Sequence, residues 1–154
     1  MVKINNKVWG QEVLFTDGEA AALADRTKQL AVLYFYPRAN TPGCTNESKD
    51  FSTHYQAFKE AGCEVFGVSM DSLKKQQNFK NKYDMPFELI ADTDEWLCQE
   101  LDVIKEKKMY GKTFMGIERS TFIVNSAGEI LKTWRKVKVP GHVEEVLDAV
   151  KALS

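Results

Sequence analysis

The stretch Ala31-Val32-Leu33-Tyr34-Phe35-Tyr36-Pro37-Arg38-Ala39-Asn40-Thr41-Pro42-Gly43-Cys44-Thr45-Asn46-Glu47 decides the fold. Its first six residues are apolar without a break and rich in aromatic and β-branched side chains, the pattern of a central strand covered on both faces. Pro37 has no N–H to give a ladder and ends that strand. A short loop follows. Pro42 suits a first helical position, where the missing N–H has no partner in any case. A helix is therefore expected from about Pro42, with Cys44 in its first turn.

That position has a chemical consequence. Unpaired N–H groups and the positive end of a helix dipole converge there and favour an anion. The thiolate, not the thiol, is the nucleophile. Taken alone, the spacing leaves two readings of Cys44: a reactive thiol, or a buried cysteine that packs as a small apolar side chain. Gly43 lets a ligand approach the backbone. Thr41 either caps the helix or turns its hydroxyl into the site. Glu47, one turn past Cys44, either orients an arginine or is an acid in the first turns of a helix.

Outward from this stretch the chain alternates. Phe51, Tyr55 and Phe58 give the helix one apolar face until Ala61-Gly62 ends it. Residues 64–70 read as a second buried strand. Asp71-Ser72 caps a helix bearing Leu73, Phe79 and Tyr83. Phe87 to Ala91 is a third strand, and Trp96, Leu97 and Leu101 mark a short helix after the Asp92-Thr93-Asp94 cap. Residues 102–118 mix Lys105, Lys107, Lys108 and Lys112 with Met109, Tyr110, Phe114 and Met115 without a clean period, and are expected to form a long loop. Thr121 to Val124 is a fourth strand. Asn125 to Gly128 is a hairpin turn, residues 130–137 pair back, and Pro140-Gly141 opens a last helix. Upstream, residues 7–14 read as one or two short strands broken at Gly10, Thr16-Asp17-Gly18 as a turn, and 19–30 as either a helix or a connection.

Strands alternating with helices imply parallel pairing with right-handed crossovers, and the terminal hairpin adds an antiparallel portion. The expected class is α/β, a central mixed sheet flanked by helices with an N-terminal strand or hairpin extension. At 154 residues the chain is expected to be one domain, 1–154. With 21 basic and 22 acidic residues the net charge is −1, which calls for neither nucleic acid nor a membrane surface. No apolar run nears the roughly 20 residues of a membrane span and no signal peptide is visible, so the cytoplasm is the expected compartment. Three cysteines (Cys44, Cys63, Cys98) without a CxxC, and two histidines (His54, His142), make neither a disulfide framework nor a metal site.

A second constellation is Gly116-Ile117-Glu118-Arg119-Ser120-Thr121-Phe122. Arg119 opens a strand expected beside the one that ends at Pro37, where a guanidinium would hold a thiolate and bind an oxyanion. With Pro37, Thr41 and Cys44 it completes a Pro-x-x-x-Thr-x-x-Cys pattern followed much later by an arginine. Together with Tyr-Phe-Tyr-Pro at 34–37, Thr-Pro-Gly-Cys-Thr at 41–45, the run from Lys107 to Phe122 and Trp-Arg-Lys-Val-Lys-Val at 134–139, this pattern resembles the peroxiredoxins. The nearest group is the bacterioferritin comigratory protein, or Q-type, group, and the match runs from about residue 7 to the end.

The resemblance implies a thioredoxin-like fold and reduction of hydrogen peroxide and organic hydroperoxides without cofactor or metal. Cys44 would attack the peroxide and become a sulfenic acid. Thr41, Arg119 and the Cys44 N–H would hold the peroxide, and Pro37 would shield the site from water. Thioredoxin, or a glutaredoxin/glutathione system, would restore the thiol, and the protein would be a monomer. The chain departs from the pattern at the resolving cysteine. Relatives carry one five residues after the first, here Lys49, or on the next helix, near Lys80. Cys63 and Cys98 read as structural, and a one-cysteine cycle is expected. A redox sensor that passes oxidation from Cys44 to a partner is the competing reading. A thiol–disulfide oxidoreductase is disfavoured because Glu47 stands where CxxC needs its second cysteine.

Overall fold

The computed structural model describes residues 2–154, Val2 by its backbone alone. In chain order the elements are β1 (Val2–Lys3), α1 (Asn6–Trp9), β2 (Glu12–Phe15), β3 (Ala20–Ala22), α2 (Leu23–Arg26), β4 (Leu30–Phe35), α3 (Pro42–Glu60), β5 (Cys63–Ser69), α4 (Leu73–Lys82), β6 (Leu89–Ala91), α5 (Trp96–Glu100), β7 (Ile104–Met109), β8 (Lys112–Ile117), β9 (Ser120–Asn125), β10 (Glu129–Trp134) and α6 (His142–Leu153).

Strand β4 is buried along its whole length and occupies the middle of an eight-stranded sheet of order β1-β10-β9-β4-β5-β6-β2-β3. It pairs parallel with β5 on one side and antiparallel with β9 on the other, and β5 pairs parallel with β6. The parallel core with an antiparallel β9–β10 hairpin is the mixed sheet expected. The N-terminal extension is split between the two edges. β1 joins β10, while the β2–β3 hairpin closes the far side against β6.

Alternation along β4 sorts the core into two layers. Leu33 and Phe35 point to one face with Phe15, Phe66, Leu97, Cys98, Val103 and Phe122, under the short helices α1, α2 and α5. Val32, Tyr34 and Tyr36 point to the other with Cys44, Phe51, Phe58, Phe79, Val146 and Val150, under α3, α4 and α6. Burying these aliphatic and aromatic side chains contributes about 1.5–3 kcal/mol each, so both layers drive folding.

Three expectations change. Residues 7–14 are not all strand: Asn5 accepts from the Lys7 N–H and caps the one-turn helix α1, Trp9 is buried, and only Glu12–Phe15 is extended. Residues 19–30 divide into β3 and α2. Residues 102–118 are not a loop but the β7–β8 hairpin, a separate two-stranded sheet. Tyr110 and Gly111 turn it with φ of 53° and 75°, the backbone of a tight hairpin turn that glycine enters at no steric cost. Its lysines hid the strand period because both faces of the outer hairpin meet water.

Candidate active site

The peptide that leaves β4 is held before it reaches the helix. The Tyr36 N–H still donates to the Val68 carbonyl at 3.1 Å, and the chain departs at Pro37, which is exposed. The Ala39 N–H donates to Asp71 Oδ2 at 2.7 Å. Asn40, in the left-handed region at φ 63°, accepts from the Tyr83 hydroxyl at 3.1 Å. The loop is thus tied to α4 and to the turn before it.

Thr41 is the N-cap of α3 and Pro42 its first residue. The Thr41 side chain makes no capping bond. Its hydroxyl donates to the Arg38 carbonyl at 2.9 Å, which leaves the oxygen lone pairs free to accept. The helical ladder begins with the Thr45 N–H on the Thr41 carbonyl at 2.8 Å, so the N–H groups of Gly43 and Cys44 lie ahead of it in the first turn. Cys44 itself is 1% exposed. The half-buried Thr41 and Gly43 form the rim beside it.

Arg119 arrives from the other side of β4. The antiparallel register of β9 sets Ser120 opposite Phe35. Arg119, one residue earlier, therefore stands at the end of β4 where the Cys44 loop begins. Its Nη2 donates to Cys44 Sγ at 3.3 Å and its Nη1 to Glu47 Oε1 at 2.6 Å. A Cβ on Gly43 would come within 3.2 Å of Nη2, so the glycine leaves room for the guanidinium. The Val137 N–H donates to the Arg119 carbonyl at 3.0 Å and fixes its backbone. Burial works against the charge on Arg119, but Glu47 and then Cys44 outweigh it and hold the guanidinium above its ordinary pKa.

Glu47 and Ser48 are both 0% exposed and sit on the core face of α3 with Cys44, Phe51 and Phe58. Burial pushes the Glu47 carboxyl up to about 7, against the pull of Arg119. Its Oε2 is buried without a partner. Ser48 shares a 2.8 Å hydrogen bond with the Tyr34 hydroxyl. On the adjacent strand Thr121 and His142 Nε2 are 2.8 Å apart, and burial lowers the His142 pKa to about 4. Sequence reasoning weighed Glu47 as an orienter, and the arginine it meets is Arg119. It gave no sign that Ser48, Tyr34 or Thr121 would be hydrogen-bonded there, because a polar group on a buried helix face or central strand shows its partner only after packing.

The four residues expected at the site divide. Cys44 and Arg119 are in contact, and Thr41 opens the helix that carries Cys44. Pro37 ends the strand and stands exposed at the loop start. The other two cysteines are remote. Cys98 belongs to the layer on the far face of the sheet. Cys63 follows the opposite end of α3, and the rise from Cys44 to Glu60 is about 24 Å, against the ~7 Å that a disulfide tolerates between Cα atoms. Burial, helped by Glu64, pushes the Cys63 thiol up to about 12, and burial with Asp92 pushes Cys98 well above the usual thiol range. Lys49 is exposed on α3, and Lys80 donates to the Met85 carbonyl at 2.7 Å. Among the described residues no helix is long and apolar enough to cross a membrane.

The AhpC/TSA family model matches residues 4–133. Peroxiredoxin Bcp of Xanthomonas campestris is 52% identical over 121 residues, 79% of this chain and 76% of that protein. Peroxiredoxin Bcp of Bacillus subtilis is 43% identical over 153 residues, 99% of this chain and 98% of that protein. The solved structure of the X. campestris bacterioferritin comigratory protein, described by its alkyl peroxide reduction activity, superposes with a TM-score of 0.93 at 42% identity, covering 99% of this chain and 97% of that one. The chain belongs to the AhpC/TSA family, in its bacterioferritin comigratory protein group, with the thioredoxin-like fold expected, and is a thiol-dependent peroxidase.

Proposed function

We propose that this peroxidase reduces hydrogen peroxide and organic hydroperoxides through Cys44, in a one-cysteine cycle completed by an external thiol. The observation that carries the reading is the 3.3 Å contact from Arg119 Nη2 to Cys44 Sγ at the start of α3.

The first half of the cycle breaks the O–O bond. The Cys44 thiolate attacks the terminal peroxide oxygen and becomes Cys44–SOH, and the other oxygen leaves as hydroxide or alkoxide and takes a proton. Negative charge moves from sulfur to the leaving oxygen. Donors already aimed at that line of atoms stabilise it without reorganising. Arg119 supplies planar donors and the Cys44 N–H a third. The Thr41 hydroxyl, whose proton is on Arg38, accepts from the O–H of the incoming peroxide. Pro37 removes one backbone N–H from the mouth and keeps water from organising there.

The second half restores the thiol. An external thiol attacks Cys44–SOH, releases water and leaves a mixed disulfide, and a second thiol then frees Cys44. Thioredoxin, or a glutaredoxin/glutathione system, is the donor. The cycle needs no partner subunit, so residues 1–154 work as one domain and as a monomer, in the cytoplasm.

The test is steady-state peroxide consumption with thioredoxin, glutaredoxin and glutathione, joined to mass spectrometry after one equivalent of peroxide. The expected product is a single Cys44 sulfenic acid that dimedone traps. An intramolecular Cys44–Cys63 or Cys44–Cys98 disulfide would refute the one-cysteine cycle.

A further inference from the structure

Four of the seven exposed large apolar side chains among the described residues lie on one element, the β7–β8 hairpin. Tyr110 is 96% exposed, Met115 61%, Met109 57% and Phe114 43%. The hairpin pairs with no other strand among the described residues. Its root is fastened. Ile117 is buried, Ile104 packs against the core, the Glu118 N–H donates to the Val103 carbonyl at 2.7 Å, and Arg135 donates to the carbonyls of Leu101 and Asp102 at 2.9 Å. A two-stranded ribbon is marginal on its own. An apolar cluster displayed on one is a feature of association surfaces.

The hairpin also carries charge. Residues 104–117 hold Lys105, Lys107, Lys108 and Lys112 against the single acid Glu106, in a chain whose net charge is −1. Its position matters as well. β8 ends two residues before Arg119, and Lys107, half-buried against the Phe114 ring and Gly116, lies within the field of Arg119 and Cys44. A positive, apolar arm therefore stands beside the mouth of Cys44.

We propose that the hairpin Ile104–Ile117 is the docking surface for the protein that reduces Cys44, a dithiol protein with carboxylates around an apolar patch beside its thiol. The inference rests on the external-thiol reading above. With Cys44 1% exposed and its companions remote, a reducing cysteine has to be pressed against this rim to reach the sulfur. A peroxide is too small to cover four large side chains. A second copy of this chain across a two-fold axis would set lysine against lysine, which like charges oppose. An acidic, apolar partner satisfies both parts of the surface.

Two double variants test it: Lys108→Glu with Lys112→Glu, and Met109→Ser with Met115→Ser. Turnover is followed by NADPH oxidation with thioredoxin and its reductase and with the glutaredoxin system, and in parallel by peroxide loss with dithiothreitol. The expected result is a rise of about tenfold in KM for the protein reductant, equivalent to ~1.4 kcal/mol, with dithiothreitol turnover unchanged. Added salt should raise the wild-type KM and leave that of the lysine variant flat. The proposal is overturned by an unchanged KM in both variants, by an equal loss with dithiothreitol in both, by protein reductants that fail where dithiothreitol succeeds, or by sedimentation showing dimers that the variants dissociate. Wild-type protein that consumes no peroxide with dithiothreitol would sink the peroxidase reading first, and this inference with it.

Discussion

Cys44 and Cys98 are equally hidden, at 1% and 0% exposure, yet they sit in opposite chemistry. Each is the third residue of a helix that follows a strand, and both contact a core layer of the same sheet. The layer around Cys98 is mostly apolar, and beside it the Asp92 carboxylate accepts the N–H groups of Leu97 and Cys98. A negative charge is thus fixed beside that sulfur. The layer around Cys44 contains Arg119, Glu47, Ser48, Tyr34, Thr121 and His142, all hydrogen-bonded, and the group that touches the sulfur is a cation. Burial does not distinguish the two cysteines. The sign of the charge beside each sulfur does.

The largest expected effect is on the cysteines themselves. Cys44→Ser should lower peroxide turnover by about a thousandfold or more, since among the described residues no second thiol stands in the site. Cys98→Ser should leave turnover by the folded enzyme intact and cost about 1–3 kcal/mol of stability through an added buried hydroxyl. Comparable turnover losses in both would erase the distinction between the two faces.

Next comes the cation. Arg119→Ala should lower kcat/KM for peroxide by about 10²–10³. Arg119→Lys should recover little of it, because a single ammonium does not span Cys44 and Glu47 as the guanidinium fork does. Stopped-flow oxidation of the reduced protein measures this half-reaction without the reductant. A lysine variant with wild-type rates would mean that only net charge matters.

A smaller effect distinguishes the buried acid. The Glu47 pKa is near 7 in the fold against an ordinary 4.5. The native state therefore holds this proton more tightly than the unfolded chain. Glu47 then contributes stability fully below pH 4.5 and loses it as pH rises to 7. His142 runs the other way, from 6.5 down to about 4, with its contribution present above 6.5 and lost on acidification through 4. Between pH 4.5 and 7, the urea-unfolding free energy of Glu47→Gln should rise steadily relative to that of wild type as pH rises, because only wild type loses the contribution of the bound proton. A constant difference would mean that Glu47 keeps an ordinary carboxylate pKa.

The parts of this site differ in how legible they are in the chain. β4, the helix start at Pro42 and the strand after Arg119 can be read directly, because continuous apolar runs and proline positions act locally. The hairpin at 104–117 cannot, since neither outer face is buried and alternation has nothing to report. Its one local sign is Tyr110-Gly111, the turn that the Lys-rich flanks obscured. Glu47 and Ser48 break the apolar stripe of α3 between Cys44 and Phe51, and the partners that make them tolerable come from Arg119 and Tyr34, 72 and 14 residues away.

The sequence by itself determined the alternation of strands and helices from β4 to α5, the cysteine in the first turn of α3, and the Pro37, Thr41, Cys44 and Arg119 pattern, because backbone propensity and short-range periodicity depend on neighbours in the chain. Tertiary structure alone decided which face of the sheet each cysteine occupies, that a guanidinium bridges Cys44 to Glu47, and that a positive apolar hairpin stands beside them. Those are contacts between residues far apart in sequence, and their energies, from buried charge and desolvation, exist only once the sheet has brought the groups together.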